Sequence, residues 1–251
     1  MKKIILLLFV SLSIACSSDN DTLVNEISVT LRFTHNWDGA IVTVDDFNVL
    51  DFTNKKGTKL SIERLRYLIS RVELINSAND TLSFDGYKLV DLASEEDILF
   101  NLPNTILEGP YKLECTFGFN NEDNIDNAYP DLNSANWNVP ENLGGGYHFM
   151  QLDGKFKDSL FNESPYNFHA IQAYDMATQE SKDTFFRVNF GTISISKNAT
   201  IELKMNIAQW FKEPHEWDLN ELNTQLMMNF EAQKQISDNG RNVFSLGTVS
   251  Q

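Results

Sequence analysis

Three of the four histidines in this chain stand at or within predicted β-strands, and they are the side chains best suited to chemistry. His35 ends an alternating apolar strand, His148 begins a strand after three glycines, and His169 lies inside a later aromatic strand. Neutral imidazole binds borderline metals such as copper and zinc. A core or turn histidine that is hydrogen-bonded to the backbone is the alternative for each of the three, and sequence periodicity alone leaves it open.

The segment 136–154 combines a tryptophan, a glycine run and a histidine. Trp137 precedes the three glycines Gly144–Gly146, and His148 follows them after one residue. Glycine has no Cβ, so the run permits positive φ angles and close backbone approach. We expect the glycines to turn the chain so that His148 faces His169.

Oxygen-bearing side chains are concentrated between the predicted strands, in the segment Asn120–Asn136. Asp123, Asp126 and Asp131 are the carboxylates that would bind Ca²⁺, which prefers hard oxygen ligands. Their spacing does not match an EF-hand, and segments rich in Asn and Asp also form ordinary turns. A calcium site and a plain loop are therefore both open.

Catalytic motifs are missing from the sequence. It has no nucleophile elbow, no phosphate-binding loop, no His-Glu-x-x-His and no Cys-x-x-Cys. A site of two or three histidines with open positions is able to support redox chemistry. Since no nucleophile and base are paired, the sequence favours a protein that is not an enzyme.

The elements that must position these residues are β-strands, because apolar residues alternate with a period of two. Ile27–Phe33 is the clearest case, and a slip of the pattern within 60–75 predicts a β-bulge. His169 shares its alternation with Ile171 and Ala173, which predicts that it points inward. Further strands are predicted at Tyr87–Leu92, Tyr111–Phe119, Tyr147–Phe156, Tyr166–Tyr174, Phe185–Phe190 and Thr200–Ile207. About eight strands without intervening helices predict an all-β fold, an antiparallel β-sandwich.

The C-terminal segment changes to a helical pattern. Asp218 and Glu221 form a possible capping box, and apolar residues then recur at helical spacing up to Phe230. Asn239-Gly240 supplies an ending signal. We therefore expect a helix of roughly 20 residues packed on the sandwich, followed by a short strand at Val243–Leu246.

The N-terminus predicts export and lipid anchoring. Residues 1–15 are a basic start followed by a short apolar run, which is typical of a signal peptide and too short to span a membrane. Cys16 closes this run as in the lipobox of bacterial lipoproteins, although a plain secretory signal is the alternative. Residues 16–25 then form a tether, and the acylated protein is expected in the cell envelope, at the outer membrane.

Net charge and cysteine content exclude other functions. The formal charge is −15, and loss of residues 1–15 removes two lysines and changes it to −17. Such a surface repels phosphate, so we expect no nucleic-acid partner and membrane contact through the lipid anchor only. Cys115 falls on the apolar face of a predicted strand, which indicates a small core residue rather than a reactive thiol.

The order of features resembles the copper-binding MbnP-like family, exported proteins related to the methanobactin-associated protein of that name. The similarity covers nearly all of the mature chain, expected as one domain of residues 26–251. The blocks that carry it are Phe33–His35, Gly57–Ile62, Leu65–Ser70, Tyr87–Leu92, Phe117–Asn120, Trp137 with Gly146-Tyr147 and Gly154, Phe168-His169, and Ile201–Ile207.

This resemblance implies a β-sandwich that binds copper through histidines at the end of the sheet. By the resemblance, His148 and His169 are copper ligands and His35 is a third. The partner it implies is a diheme cytochrome c peroxidase-like protein, which oxidises a tryptophan of the family to kynurenine, or an outer-membrane receptor. Trp137 is the nearest match to that tryptophan, but it stands alone, whereas the family pattern has two tryptophans just ahead of the Gly-Tyr pair.

Two functions from different classes follow from the sequence. The first is a lipid-anchored copper-binding protein for acquisition, storage or delivery of the metal. The alternative is a non-catalytic surface module that binds a glycan or a receptor without any metal, with Trp137 as its stacking platform.

Overall fold

The alternating segments fold into two β-sheets that face each other across an apolar core. This arrangement is seen in the computed structural model, which describes residues 26–251. The predicted signal peptide, Cys16 and the predicted tether lie outside the described residues. Within residues 26–251, no helix is both long enough and apolar enough to cross a membrane.

Fifteen strands are present in the described part of the chain, and several have only two or three residues. They are β1 (Val29–Trp37), β2 (Ala40–Val42), β3 (Phe52–Thr53), β4 (Lys59–Leu60), β5 (Arg64–Asn76), β6 (Thr81–Asp91), β7 (Leu99–Asn101), β8 (Gly109–Phe117), β9 (Met150–Lys157), β10 (Glu163–Ala170), β11 (Ala173–Asp175), β12 (Glu180–Lys182), β13 (Phe186–Ile195), β14 (Ala199–Asn206) and β15 (Phe244–Ser250). Two α-helices accompany them, α1 (Pro130–Ser134) and α2 (Phe230–Gly240).

The smaller sheet has the order β15-β14-β1-β2, with β7 also paired to β1. The larger sheet has the order β13-β8-β5-β9-β4-β3, with β6 on β5 and β10 on β9. All of these pairings are antiparallel except the one between β1 and β14, which is parallel. The expected all-β sandwich is therefore confirmed. The predicted bulge is also present, as a register shift between Ser70 and Val72.

The C-terminal helix is shorter than the sequence pattern predicts. Helix α2 begins at Phe230, where the side chain of Asn229 accepts a hydrogen bond from the backbone N–H of Ala232. Upstream, Gln225 has a positive φ of 59°, which a continuous helix does not tolerate. The segment before α2 is instead a loop that ends in a 3₁₀ turn, Leu226–Met228. The apolar spacing from Leu219 to Phe230 therefore reflects burial of a loop rather than a helix face.

The final strand and Cys115 can also be compared with what the sequence predicts. The final strand, β15, runs to Ser250 and is longer than expected. Cys115 is 1% exposed within the core, and its burial raises the pKa of the thiol to about 12. This agrees with a small core residue and not with a reactive thiolate.

The larger sheet has one face toward the core and one face away from it. On the core side, β5 and β9 contribute Leu65, Tyr67, Met150 and Leu152, which are fully buried. The residues next to them in sequence alternate to the opposite, outer face. Polar residues among them include Arg66, Gln151 and Asp153. We call the side of the larger sheet that points away from the core the outer face. The candidate site lies on this face.

Candidate metal centre

Three consecutive glycines turn the chain toward the site. In Gly144–Gly146 all three residues have positive φ, with values of 100°, 70° and 73°, a region that residues with a Cβ adopt only at a cost. The space is also closed, because a Cβ on Gly146 would lie 2.4 Å from the side-chain oxygen of Asn124. The glycines therefore make the tight turn that precedes His148.

The two ring nitrogens of His148 have distinct roles. Nδ1 lies 2.9 Å from the backbone carbonyl oxygen of Trp137, and a carbonyl only accepts, so Nδ1 carries the proton. Burial lowers the pKa of His148 to about 4, so the ring is neutral near pH 7. A neutral imidazole has one N–H, and Nε2 of His148 therefore holds a lone pair.

An ionised carboxylate orients His169. Its Nε2 donates a hydrogen bond of 2.8 Å to Oδ1 of Asp153. Asp153 also accepts hydrogen bonds from Nδ2 of Asn167 and from Nε of Arg64, each with a length of 2.6 Å. Burial alone would raise the pKa of Asp153, but these hydrogen bonds and neighbouring positive charge lower it to about 2. A neutral His169 then has its lone pair on Nδ1, and such carboxylate–histidine pairs orient metal ligands.

The two imidazoles lie side by side. Their ring centroids are 5.2 Å apart and their planes are inclined at 82°. With metal–nitrogen bonds of about 2 Å, two imidazoles on one metal have ring centres roughly 5 to 6 Å apart. His148 is 5% exposed, and the His169 side chain is 13% exposed. The spacing of the two rings therefore fits one shared metal ion, and both side chains are largely shielded from water.

A sulfur atom faces one of the two rings. Sδ of Met227 lies 3.2 Å from Nε2 of His148. Met227 comes from the 3₁₀ turn before α2 and packs with a small apolar group of Val139, Leu143 and Ile171. Met227 was not predicted from the sequence, because it falls outside the apolar repeat that indicated a helix in this segment.

Trp137 forms another wall of the site. Its indole is fully buried, with the centroid of the His148 ring 5.7 Å away and the Arg66 guanidinium carbon 5.0 Å from its own ring centroid. Arg66 is half-buried, and cation–π contacts contribute between about 0.5 and 2 kcal/mol, with the larger values for contacts removed from water. Among the described residues, the indole N–H has no hydrogen-bond partner. A buried ring cannot stack on a glycan, so the glycan-binding alternative loses its expected platform.

Comparisons with known proteins identify the family and support the fold. The sequence model of the MbnP family matches residues 26–229, which is most of the chain. The chain belongs to the MbnP family. Among proteins with curated descriptions, none matches its sequence. The solved structure of MbnP from Methylosinus trichosporium superposes with a TM-score of 0.61 at 13% identity, over 91% of this chain and 100% of that one. At that identity the likeness supports the fold alone.

The third histidine expected in this MbnP-family protein is not brought to the pair. His35 lies on β1 of the smaller sheet, between the two sheets, where its Nε2 is 3.1 Å from the hydroxyl of Tyr67. Tyr67 points to the core side of the larger sheet. His169 points to the outer face, because it lies opposite Gln151 and contacts Asp153. The larger sheet therefore separates His35 from the His148–His169 pair.

The prediction that His169 points inward was wrong, because His169 lies on the outer face of the larger sheet. Strand β10 ends at Ala170, so Ile171 and Ala173 follow the end of the strand and do not share its alternation. Within β10 the inward residues are Tyr166, Phe168 and Ala170. His169 is buried by the layer that covers the outer face and not by the sandwich core.

The three carboxylates considered for calcium are held by three different groups. Asp123 pairs with Arg71, Asp126 accepts a hydrogen bond from the backbone N–H of Gly146, and Asp131 accepts one from Tyr87. The structure does not bring them together. Asp126 instead stabilises the glycine turn that leads to His148.

Apart from the histidine pair, the part of the chain that the structure describes offers few sets of metal ligands. Within residues 26–251, no group of three or more His, Cys, Asp or Glu side chains is arranged to hold a metal ion. The histidine pair provides two such ligands. His215, the fourth histidine, is partly exposed and pairs with Asp238.

Proposed function

We propose that this MbnP-family protein binds copper in the cell envelope and serves its acquisition, storage or delivery. One observation carries the proposal. The rings of His148 and His169 lie 5.2 Å apart on the outer face of the larger sheet, and each has one nitrogen fixed by a hydrogen bond to the protein. The remaining nitrogen of each ring is left for a metal, as borderline metals require.

The protein orients the two imidazole rings and excludes water from the site. The Trp137 carbonyl fixes the tautomer of His148, and the Asp153 carboxylate fixes that of His169, so neither ring must reorient when a metal binds. The low exposure of both side chains limits competition from water. Copper is the cargo in this proposal, so no chemical step at the metal is needed.

The direct test is metal loading. Protein incubated with Cu(I) without oxygen and then desalted is expected to hold about one copper per chain by elemental analysis, as two shared ligands imply. The His148→Ala/His169→Ala double variant is expected to hold none. The His215→Ala variant, which removes a histidine outside the site, is the matched control and keeps its copper.

Equal loading of the double variant and the wild type would refute the assignment of these ligands. Far-UV circular dichroism and thermal unfolding of the three proteins show whether a loss of copper reflects a loss of fold. Both histidines lie on the outer face of the larger sheet and not in the core between the two sheets, so we expect the double variant to fold.

The family resemblance adds a proposal for Trp137. If a diheme peroxidase-like partner oxidises a tryptophan of this protein to kynurenine, Trp137 is the residue, because its ring lies 5.7 Å from that of His148. Peptide mass spectrometry of protein purified from its native host is the measurement. An unmodified Trp137 in copper-loaded native protein would show that binding does not need this oxidation.

A further inference from the structure

The contact between His148 and Met227 joins two atoms that both lack a hydrogen. Nδ1 of His148 carries the ring proton and donates it to the Trp137 carbonyl, so Nε2 has only a lone pair. A thioether sulfur has lone pairs and no proton. At 3.2 Å the two atoms therefore cannot form a hydrogen bond. Two facing electron-pair donors at this separation are the arrangement that a shared metal ion stabilises.

We propose that Met227 is the third protein ligand of the site and that its thioether makes the site selective for Cu(I). This rests on the proposed function, since it needs the His148–His169 pair to bind a metal. Imidazole alone suits Zn²⁺ as well as copper, whereas a soft thioether sulfur, which carries no charge to offset that of a divalent ion, favours Cu(I). Two imidazoles and one thioether would thus separate monovalent copper from the divalent metals.

The surroundings of Met227 favour the same selectivity. Its side chain packs against Val139, Leu143 and Ile171, which are 4%, 7% and 1% exposed. The cost of moving an ion from water into such an apolar environment rises with the square of its charge. A monovalent ion is therefore disfavoured much less than a divalent one beside this cluster.

A buried glutamine holds Met227 at the histidine pair. Gln233 on α2 is fully buried. Its Nε2 donates a hydrogen bond of 2.8 Å to the carbonyl oxygen of His169 and one of 3.0 Å to the carbonyl oxygen of Leu226. Its Oε1 accepts from the backbone N–H of Ile171 over 2.8 Å. One side chain thus ties the end of β10, which carries His169, to the turn that carries Met227. Gln233 is a positioning residue for this contact.

The test compares Met227→Leu with Met228→Leu. Leucine is close to methionine in volume, so both variants should fold, and Met228 is the adjacent methionine, 45% exposed. Affinities for Cu(I), without oxygen, and for Zn(II) are measured by competition with chromogenic chelators. Met227→Leu is expected to lower Cu(I) affinity about 10- to 100-fold, a typical cost of disturbing a metal site, and to leave Zn(II) affinity unchanged. Met228→Leu is expected to change neither.

X-ray absorption at the copper edge gives a readout that does not depend on affinity. The Cu(I)-loaded wild type is expected to show one sulfur neighbour at about 2.3 Å, the usual metal–sulfur distance, and Met227→Leu only lighter neighbours. With selenomethionine incorporated throughout, the same neighbour becomes selenium, which tests the ligand without any substitution.

The outcomes separate this inference from the proposed function. If the wild type binds Cu(I) with nitrogen neighbours alone, or if Met227→Leu keeps its affinity, Met227 is only a packing contact and the histidine pair stands. A sulfur neighbour that persists in Met227→Leu likewise overturns the assignment. If the wild type binds no copper, the proposed function fails and this inference fails with it.

Discussion

His35 and His148 are both buried histidines in an apolar setting, yet the structure gives them different surroundings. Burial lowers the pKa of His35 to about 3 and that of His148 to about 4, so both rings are neutral. Nε2 of His35 meets the hydroxyl of Tyr67, a group with a proton and lone pairs of its own. Nε2 of His148 meets a thioether sulfur with no proton. Burial and a low pKa therefore do not distinguish a candidate ligand, whereas the atom that faces the free nitrogen does.

The two histidines also differ in their neighbours within the fold. The ring of His35 lies edge-on to Tyr67 and belongs to the core between the sheets. The ring of His148 lies beside a second imidazole, His169, on the outer face of the larger sheet. A core imidazole contributes packing, and a paired one offers two nitrogens to one ion.

The largest expected difference is in copper affinity. Replacing His148 by Ala removes a proposed ligand and is expected to lower Cu(I) affinity by about 100-fold or more, beyond the usual cost of changes outside the ligand set. His35→Ala removes an imidazole of equal size and should change the affinity less than about 3-fold on the same scale. Chelator competition without oxygen measures both. Similar losses of Cu(I) affinity in the two variants would contradict the assignment of His148, and not His35, as a ligand.

A smaller effect is expected from the carboxylate that orients His169. Asp153→Asn removes the charge that accepts from Nε2 of His169 and should lower Cu(I) affinity about 10- to 100-fold. Glu163→Gln makes the same chemical change at the start of β10, the strand that carries His169, where Glu163 pairs with Lys157 at the surface. It is the matched control and should leave the affinity unchanged. If both variants bind as the wild type does, the carboxylate does not support the site.

A third effect concerns the lowered pKa that the two histidines share, and it is measured as stability rather than as affinity. In the unfolded chain a histidine has a pKa of about 6.5, so below that pH the unfolded state binds protons that these two folded rings do not. The metal-free protein should therefore lose stability as pH falls from 6.5 toward 4, by about 2 kcal/mol per buried histidine at pH 5. Urea unfolding at pH 7 and pH 5 measures the loss.

The variant His35→Phe should remove roughly half of this pH dependence, since one of the two neutral buried rings is gone. An unchanged pH dependence in His35→Phe would show that His35 is not buried as a neutral ring. The comparison uses the difference between two pH values in each protein, so a uniform loss of stability in the variant does not affect it.

Much of the fold was predictable from local patterns. The alternation from Ile27 to Phe33 correctly indicated a strand with one buried face, and the slip of the pattern in β5 correctly indicated a bulge. The helix was predicted too long, because Leu219, Leu222 and Leu226 have helical spacing although they lie in a loop. Apolar spacing reports burial, and a loop that covers a sheet is buried as well. The positive φ of Gln225 could not be read from its residue type.

The candidate site was only partly predictable, because local patterns do not show which outward positions are covered by distant segments. His148 and His169 flank one hairpin, β9–β10, so the chain itself brings them near each other. Asp153 was not predicted as part of the site, because a polar residue at an outward position of a strand is normally exposed. In the structure a further layer covers it, and it is only 8% exposed. A buried polar position of this kind has no signal in the alternation of one strand.

The sequence by itself determined the strands, the glycine turn at Gly144–Gly146 and the nearness of His148 to His169. These depend on backbone preferences and on contacts within one hairpin. Only the tertiary structure decided that His35 lies across the larger sheet and that Met227, far along the chain, lies against His148. Alternation fixes which residues of a strand share a face, but the packing of distant segments decides what covers that face. The ligand set of a site between a sheet and its covering layer follows from that packing.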